Sequence, residues 1–424
     1  VTAESAGPGA GDLVELSGLR AGNGGVMVGR HDGRVVFVRG ALPGERVRVR
    51  VVDDRRSSYL TATVVDVLDA SPHRVTDRCP AAAAGAGCCD LAHADDTVAA
   101  DIRLTAVRDV LARIGKLPDA VVAGVQMQVL APTSHYRTRV RMPVDGAGVA
   151  GVHVRAGSGV VTDAPCAQPV PDLVEAVGRR SWTPGAEVVA VHGDDGGIHL
   201  AERAPEAGRR GSSRARSQRA RSRRPRLTPR TVAGGDHVTR RVGGREWAVP
   251  VAGFWQAHVR GADAYSALVA QMARDAAPDS RSAWDLYGGV GVFAGSLVDA
   301  LPSLEHVTVV ESDADAVAAA RETFAGDDRI ACYRGPVGPA LGSLPGPDVV
   351  VTDPPRSGLG ADVVAGIVSA RPRAVVHVGC DPAAAARDLG LLVRQGYEVE
   401  RVVAVDAFGL THHVEVVAAL VSVD

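Results

Sequence analysis

Trp284-Asp285-Leu286-Tyr287-Gly288-Gly289-Val290-Gly291-Val292-Phe293-Ala294 decides how the C-terminal part of this chain folds. It reads as the end of a buried strand, a glycine turn and the start of a helix. Glycine tolerates backbone angles closed to other residues and lets a ligand approach the main chain. From Trp284 to the end, strand and helix patterns alternate. Val307-Thr308-Val309-Val310, Val349-Val350-Val351, Ala374-Val375-Val376 and Val402-Val403-Ala404-Val405 are short apolar runs of the kind that fill a sheet covered on both faces. The pattern predicts an α/β domain with a doubly wound sheet.

In such sheets the ligand crevice lies beyond the carboxyl ends of the strands. Polar motifs follow these runs: Glu311, then Asp353-Pro354-Pro355-Arg356, Gly379-Cys380-Asp381-Pro382 and Thr411-His412-His413-Val414-Glu415. A thiol, a carboxylate with an arginine and a second carboxylate can therefore converge, which suggests covalent chemistry. Gly289-x-Gly291-x-x-Ala294 fits the dinucleotide fingerprint, with Glu311 placed for ribose hydroxyls. Taken alone this segment does not separate NAD from S-adenosylmethionine. Asp285 and Cys380 favour the methyl donor, since hydride transfer has no need of a nucleophilic thiol. His412 and His413 have no neighbouring carboxylate or cysteine in sequence to complete a metal site, and read as turn packing around Glu415.

With 424 residues, 46% hydrophobic and 23% charged, the chain has the composition of a soluble protein of two to four domains. No apolar run reaches the roughly 20 residues that span a bilayer, so no membrane role is expected. Val1-Thr2-Ala3-Glu4-Ser5 lacks the basic start and apolar stretch of a signal peptide, which predicts a cytoplasmic protein. The net charge of -2 conceals a run from Arg209 to Arg230 that holds ten arginines. That run reads as a disordered linker, either a phosphate-binding tether or a solvated spacer. Six cysteines argue against a disulfide framework in this compartment. Cys79, Cys88, Cys89 and Cys166 fall in the middle of the chain, and Cys332 reads as a buried strand residue.

Outward from the C-terminal domain, residues 1–11 read as a disordered tail, and residues 12–70 as short strands of a small OB-like barrel. Arg46, Arg48, Arg50, Arg55 and Arg56 give that barrel a basic side suited to single-stranded nucleic acid. Residues 71–205 form a central domain with a helix over 98–114 and strands beyond Tyr136. Residues 206–235 are the basic linker, and residues 236–424 the domain described first. There Phe254-Trp255-Gln256 leads into a helix carrying Tyr265, Leu268, Val269 and Met272.

Asp285-Leu286-Tyr287, Asp353-Pro354-Pro355-Arg356, Gly379-Cys380-Asp381-Pro382 with Ala386-Arg387-Asp388-Leu389, and Thr411-His412-His413-Val414-Glu415 stand in the order found in one family. The chain resembles the RNA uracil-C5 methyltransferases that act on 23S ribosomal RNA or tRNA. The similarity extends over Phe254-x-Gln256, the barrel (similar to a TRAM domain) and the cysteine-bearing middle. It implies a Rossmann-like class I methyltransferase domain, an N-terminal TRAM barrel and a central α+β domain holding the cysteines. It also implies an S-adenosylmethionine-dependent enzyme that makes 5-methyluridine, with 23S ribosomal RNA ahead of tRNA as partner and a monomer as the default.

By this resemblance Cys380 is the nucleophile that adds to C6 of the uracil, and Glu415 the base that removes the C5 proton. Gln256, Tyr287, Glu311 and Asp353 match cofactor-contact positions. Cys79, Cys88, Cys89 and Cys166 match the ligands of a [4Fe-4S] cluster, with zinc the alternative. Two features depart from the family. Val292 stands where asparagine is frequent, and Arg334-Gly335-Pro336-Val337 lacks the usual polar residue on the adenine side. The cysteine spacing departs as well, because Ala86 occupies a usual ligand position and Cys88 adjoins Cys89. Two other readings stand beside this one: a non-catalytic RNA-binding protein, and an NAD-dependent oxidoreductase resting on the glycine fingerprint.

Overall fold

A computed structural model describes residues 8–203 and 229–423. Residues 1–7 of the expected tail over 1–11, and residues 206–228 of the expected linker over 206–235, lie outside the described residues. Contacts divide the chain into two compact units. The first comprises Val1–Cys79, Cys89–Ser134 and Arg260–Asp424, and the second Pro80–Cys88 and His135–Val259.

The first unit carries an eight-stranded sheet in the order Ile330–Arg334, His306–Glu311, Ser282–Leu286, Val349–Thr352, Ala374–Gly379, Glu415–Ser422, Tyr397–Asp406, Gln126–Val129. Strands from Ile330–Arg334 to Ala374–Gly379 run parallel, whereas Glu415–Ser422 is antiparallel to both its neighbours. Strand order reverses between Ser282–Leu286 and Val349–Thr352, which places the topological switch point there. The alternation of side chains along each strand splits the core in two. Val350 and Val375 pack on one face with Leu389 of the helix Pro382–Arg394. Val349, Val351 and Val376 pack on the other with Leu297 of Val292–Ala300 and Val269 of Gly261–Ala276.

Residues 13–69 form a six-stranded sheet in the order Leu13–Leu16, Arg46–Asp53, Tyr59–Asp69, Arg34–Arg39, Met27–His31, Arg20–Ala21. Val14 of one edge and Ala21 of the other meet in a single apolar cluster with Val36, Val49 and Leu60. The same cluster takes in Leu91, Val98 and Ile102 of the following segment, and the two edge strands of the sheet are not paired with one another.

The segment 89–134, assigned from sequence to the central domain, groups with the C-terminal sheet. The predicted helix over 98–114 is an α-helix, Asp96–Val110, followed by a π-helical turn, Leu111–Gly115. Its Val107, Val110 and Leu111 share a core with Leu389 and Leu392. Gln126–Val129 adds itself in parallel to Tyr397–Asp406. Long-range pairing of this kind leaves no mark on local periodicity. Cys332 is half-buried rather than buried, since its strand is a sheet edge.

The second unit is built on an antiparallel sheet ordered Arg230–Ala233, Ile198–Arg203, Glu187–His192, Arg139–Pro143. The hairpin His237–Val242/Arg245–Pro250 and the helix Pro171–Gly178 accompany it. The hairpin over 237–250, expected to open the C-terminal domain, thus belongs here, as does Arg230–Ala233, expected to lie in the linker over 206–235. No helix among the described residues is long and apolar enough to cross a membrane.

Candidate active site

Tyr287 leaves the strand Ser282–Leu286 with a positive φ of 60°, and Gly289 and Gly291 follow at 56° and 81°. Gly288 cannot be replaced without strain: an added Cβ would lie 2.7 Å from Val309 and 2.9 Å from the Asp285 carboxylate. Asp285 is fully buried and accepts a bond from the Ala294 amide at 3.0 Å, locking the turn to the helix behind it. Burial first, and then the Glu311 charge, push its carboxyl up to about 7 against that bond. Glu311 is fixed in turn by the amides of Ser312 at 2.6 Å, Asp313 at 2.7 Å and Gly289 at 3.2 Å. Its carboxylate thus braces the glycine turn.

The Asp353 amide bonds the Leu286 carbonyl at 3.2 Å, so Asp353 stands beside Tyr287 at the switch point. Burial, then the Asp285 charge, push Asp353 up to about 7. The loop that follows is held by Asp388, whose oxygens accept from Leu359 at 2.7 Å and Gly360 at 3.3 Å. Arg387 reaches the Ser357 carbonyl at 2.5 Å. Both belong to the helix that Cys380 precedes, so one helix organises two site loops.

The reversed last strand brings the expected nucleophile and base together. Gly379 pairs with Val416, and Glu415 with Val405, so Cys380 continues the ladder opposite Glu415. Glu415, at the amino end of a reversed strand, thereby reaches the same sheet edge as the carboxyl ends of the parallel strands. Its Oε2 is buried without a hydrogen-bond partner. Burial, then Asp353, push Glu415 up to about 8, with Arg356 opposing. Burial likewise pushes the Cys380 thiol up to about 11, with Glu415 and Asp353 adding and Arg356 opposing. Asp381 caps the following helix through the Ala384 amide at 2.9 Å, and leaves Cys380 at that helix's positive end.

Two further groups line this region and carry no signal in sequence beyond core packing. Tyr265 is buried, and its hydroxyl has no hydrogen-bond partner. Burial, followed by the charges of Glu415, Asp353, Asp406 and Cys380, raises it well above the usual tyrosine value. His377 is buried on the strand leading to Cys380, with Nδ1 2.8 Å from Thr352 Oγ1 and Nε2 unpartnered. Burial pushes it down to about 4, so it is neutral.

The loop 407–414 that delivers Glu415 is held from the segment 89–134. Arg103 donates to the Thr411 carbonyl at 2.8 Å and to Asp406 at 2.6 Å, both buried. The Leu91 amide bonds the Leu410 carbonyl at 3.0 Å. Asp90 takes the His412 amide at 3.0 Å and lies 2.5 Å from His412 Nδ1. The carboxylate that the sequence reading did not find near His412 is therefore present, supplied from 322 residues away. His412 packs on His413 at 4.2 Å between ring centroids, and Arg356 stands 3.5 Å from His413 Nδ1.

Gln256 lies in the second unit, half-buried in the loop after Arg245–Pro250, with the exposed Phe254 two residues before it. Cys79 and Cys89 belong to the first unit, both buried, with their sulfurs within 4.8 Å of one another. Cys88 and Cys166 belong to the second, also within 4.8 Å of one another. The Gln168 side chain donates to the Cys88 carbonyl at 2.7 Å, and the Ala81 amide to the Pro165 carbonyl at 3.1 Å, which hold the two turns of that pair together. Thiols in close pairs, three of them buried and Cys88 half-buried, suit a thiolate-bound metal or iron–sulfur centre.

Comparison with known proteins gives concordant matches. The TRAM domain family matches residues 13–65, and the family described as tRNA (Uracil-5-)-methyltransferase matches residues 346–422. An uncharacterized RNA methyltransferase of Corynebacterium glutamicum is 38% identical over 97% of this chain and 98% of its own. Another, from Corynebacterium efficiens, is 39% identical over 96% of this chain and 94% of its own. The solved structure of the Pyrococcus abyssi tRNA (uracil-54, C5)-methyltransferase in complex with S-adenosyl-L-homocysteine shares the fold. Its TM-score is 0.67 at 20% identity, over 96% of this chain and 100% of that one.

Proposed function

The chain belongs to the RNA uracil-C5 methyltransferase family, and on that premise we propose that it methylates C5 of a uridine in RNA through a covalent bond between Cys380 and C6 of the base. The observation that carries this reading is the antiparallel register that sets Cys380 opposite Glu415 beside Asp353. C5 of an intact uracil is a poor nucleophile. Cys380, pushed up to about 11 in the free protein, first gives its proton to solvent. Addition of the resulting thiolate to C6 moves the double-bond pair onto C5 and O4 and makes C5 reactive. S-adenosylmethionine, when bound, supplies the methyl group that C5 takes. Glu415, pushed up to about 8 in the free protein, must release its own proton to act as base. Its carboxylate then accepts the C5 proton, the bond from Cys380 to C6 breaks, and the thiolate is restored.

The donor set fits this cofactor. A glycine turn with no room for a Cβ at Gly288 stands between the carboxylates of Glu311 and Asp353, with Tyr287 beside them. We assign Tyr287, Glu311, Asp353 and, by resemblance, Gln256 to cofactor contact. Cys79, Cys88, Cys89 and Cys166 are assigned to one [4Fe-4S] cluster, supported by the two close pairs and by the adjacency of Cys88 and Cys89. Such a cluster holds the cysteine turns in place and takes no part in methyl transfer. The target uridine lies in 23S ribosomal RNA or in tRNA, and must leave its stack to reach Cys380.

Incubation of the protein with S-adenosylmethionine and 5-fluorouridine-substituted total RNA tests the reading. Fluorine at C5 blocks the last elimination, so a covalent band is expected on a denaturing gel. It is absent in Cys380→Ala, and sequencing the trapped RNA names the target. No band, with cofactor binding intact, overturns the covalent mechanism for these RNAs. Loss of cofactor binding as well favours an RNA-binding protein.

A further inference from the structure

The segment from Cys89 to Leu91 touches the catalytic loop at two consecutive residues. Asp90 grips His412 by both its main chain and its ring, and Leu91 bonds Leu410. Glu415 follows His412 by three residues. The grip is enclosed. Gly25, at a φ of 69°, lies against it so tightly that an added Cβ would fall 2.7 Å from Asp90 Oδ2 and 2.8 Å from His412 Cβ.

We propose that Asp90 is a positioning residue for proton abstraction: it clamps His412 and so fixes where the loop presents Glu415, making the turn that carries Cys89 a determinant of the base's position. This rests on the assignment of Glu415 as base. The base must sit within hydrogen-bond reach of the C5 proton, and displacements near 1 Å cost about 100-fold in rate. Cys380 stands at the end of a strand inside the sheet and needs no help from this loop. The clamp should therefore affect proton removal and leave thiol addition and methyl transfer alone.

The test uses the full chain with 23S ribosomal RNA and tRNA transcripts carrying tritium at C5. In Asp90→Ala, tritium release at saturation should fall about 10- to 100-fold with KM for S-adenosylmethionine unchanged. The covalent enzyme–RNA species should accumulate on unfluorinated RNA, as it should in Glu415→Gln. Trapping on 5-fluorouridine RNA should keep its wild-type rate. Asp90→Asn retains an acceptor for the His412 amide and should recover part of the loss. Hydrogen exchange at the His412 amide should quicken in Asp90→Ala while that at Val417 holds.

Wild-type tritium release in Asp90→Ala overturns the proposal. So does a parallel fall of release and fluorouridine trapping, which marks a residue needed only for folding. If Glu415→Gln itself releases tritium at the wild-type rate, the base assignment is the part that fails.

Discussion

Glu415 holds its proton at neutral pH, because burial and Asp353 push it up to about 8. A group whose folded value exceeds its ordinary 4.5 binds its proton more tightly when folded. The stability it confers is complete below about pH 4.5 and is lost as pH rises through about 8. Glu415→Gln removes that dependence. Its unfolding free energy should match wild type near pH 4.5 and exceed it above pH 8, by an amount approaching roughly 3–5 kcal/mol, with the melting temperature raised accordingly. Thermal melts at both pH values check this, and parallel melting curves would contradict it. Cys380, pushed up to about 11, sets a second expectation. Its alkylation by iodoacetamide, followed on the Cys380 peptide by mass spectrometry, should still be rising about tenfold per pH unit at pH 9. In Arg356→Ala the curve should move to higher pH, since the guanidinium is the charge that favours the thiolate. A plateau below pH 8 would refute both halves.

The helix Pro382–Arg394 joins the nucleophile to the Asp353 loop through Asp388. Asp388→Ala strands two amides near a packed core and should cost about 2–4 kcal/mol in urea unfolding. Gly288→Ala acts on a different element. It forces the first turn off Asp285, and should abolish S-adenosylmethionine binding by calorimetry while fluorescence of the buried Trp284 reports an intact sheet. Element type was legible in the sequence where the chemistry is local. Val349–Val351 and Ala374–Val376 could only be covered strands, and the glycines after Leu286 could only be a turn. The direction of Glu415–Ser422 was not legible, because an apolar run reads the same whether its ladder is parallel or reversed. Yet that direction is what places Glu415 beside Cys380. The partner of Asp90 was not legible either, since tertiary packing sets it.

At the scale of the whole molecule, the chain enters the second unit twice, at Pro80 and at His135, and the four cysteines fall two to each unit. The protein purified without oxygen should contain about four irons and four sulfides per chain if all four thiols hold one cluster. One zinc per chain would replace that assignment. Removal of the metal by chelation should leave fluorouridine trapping intact and slow turnover, because Cys380 does not depend on the cysteine turns whereas the Asp90 clamp does. The clamp has one more consequence. Arg103 meets Asp406 across 303 residues, and Asp90 meets His412 across 322. Contacts closed over so long a separation form only after the intervening chain has organised, since loop closure must precede their reward. On refolding, sheet signals should therefore return before methyl transfer does, and an immature chain that already binds RNA would do so without a placed base.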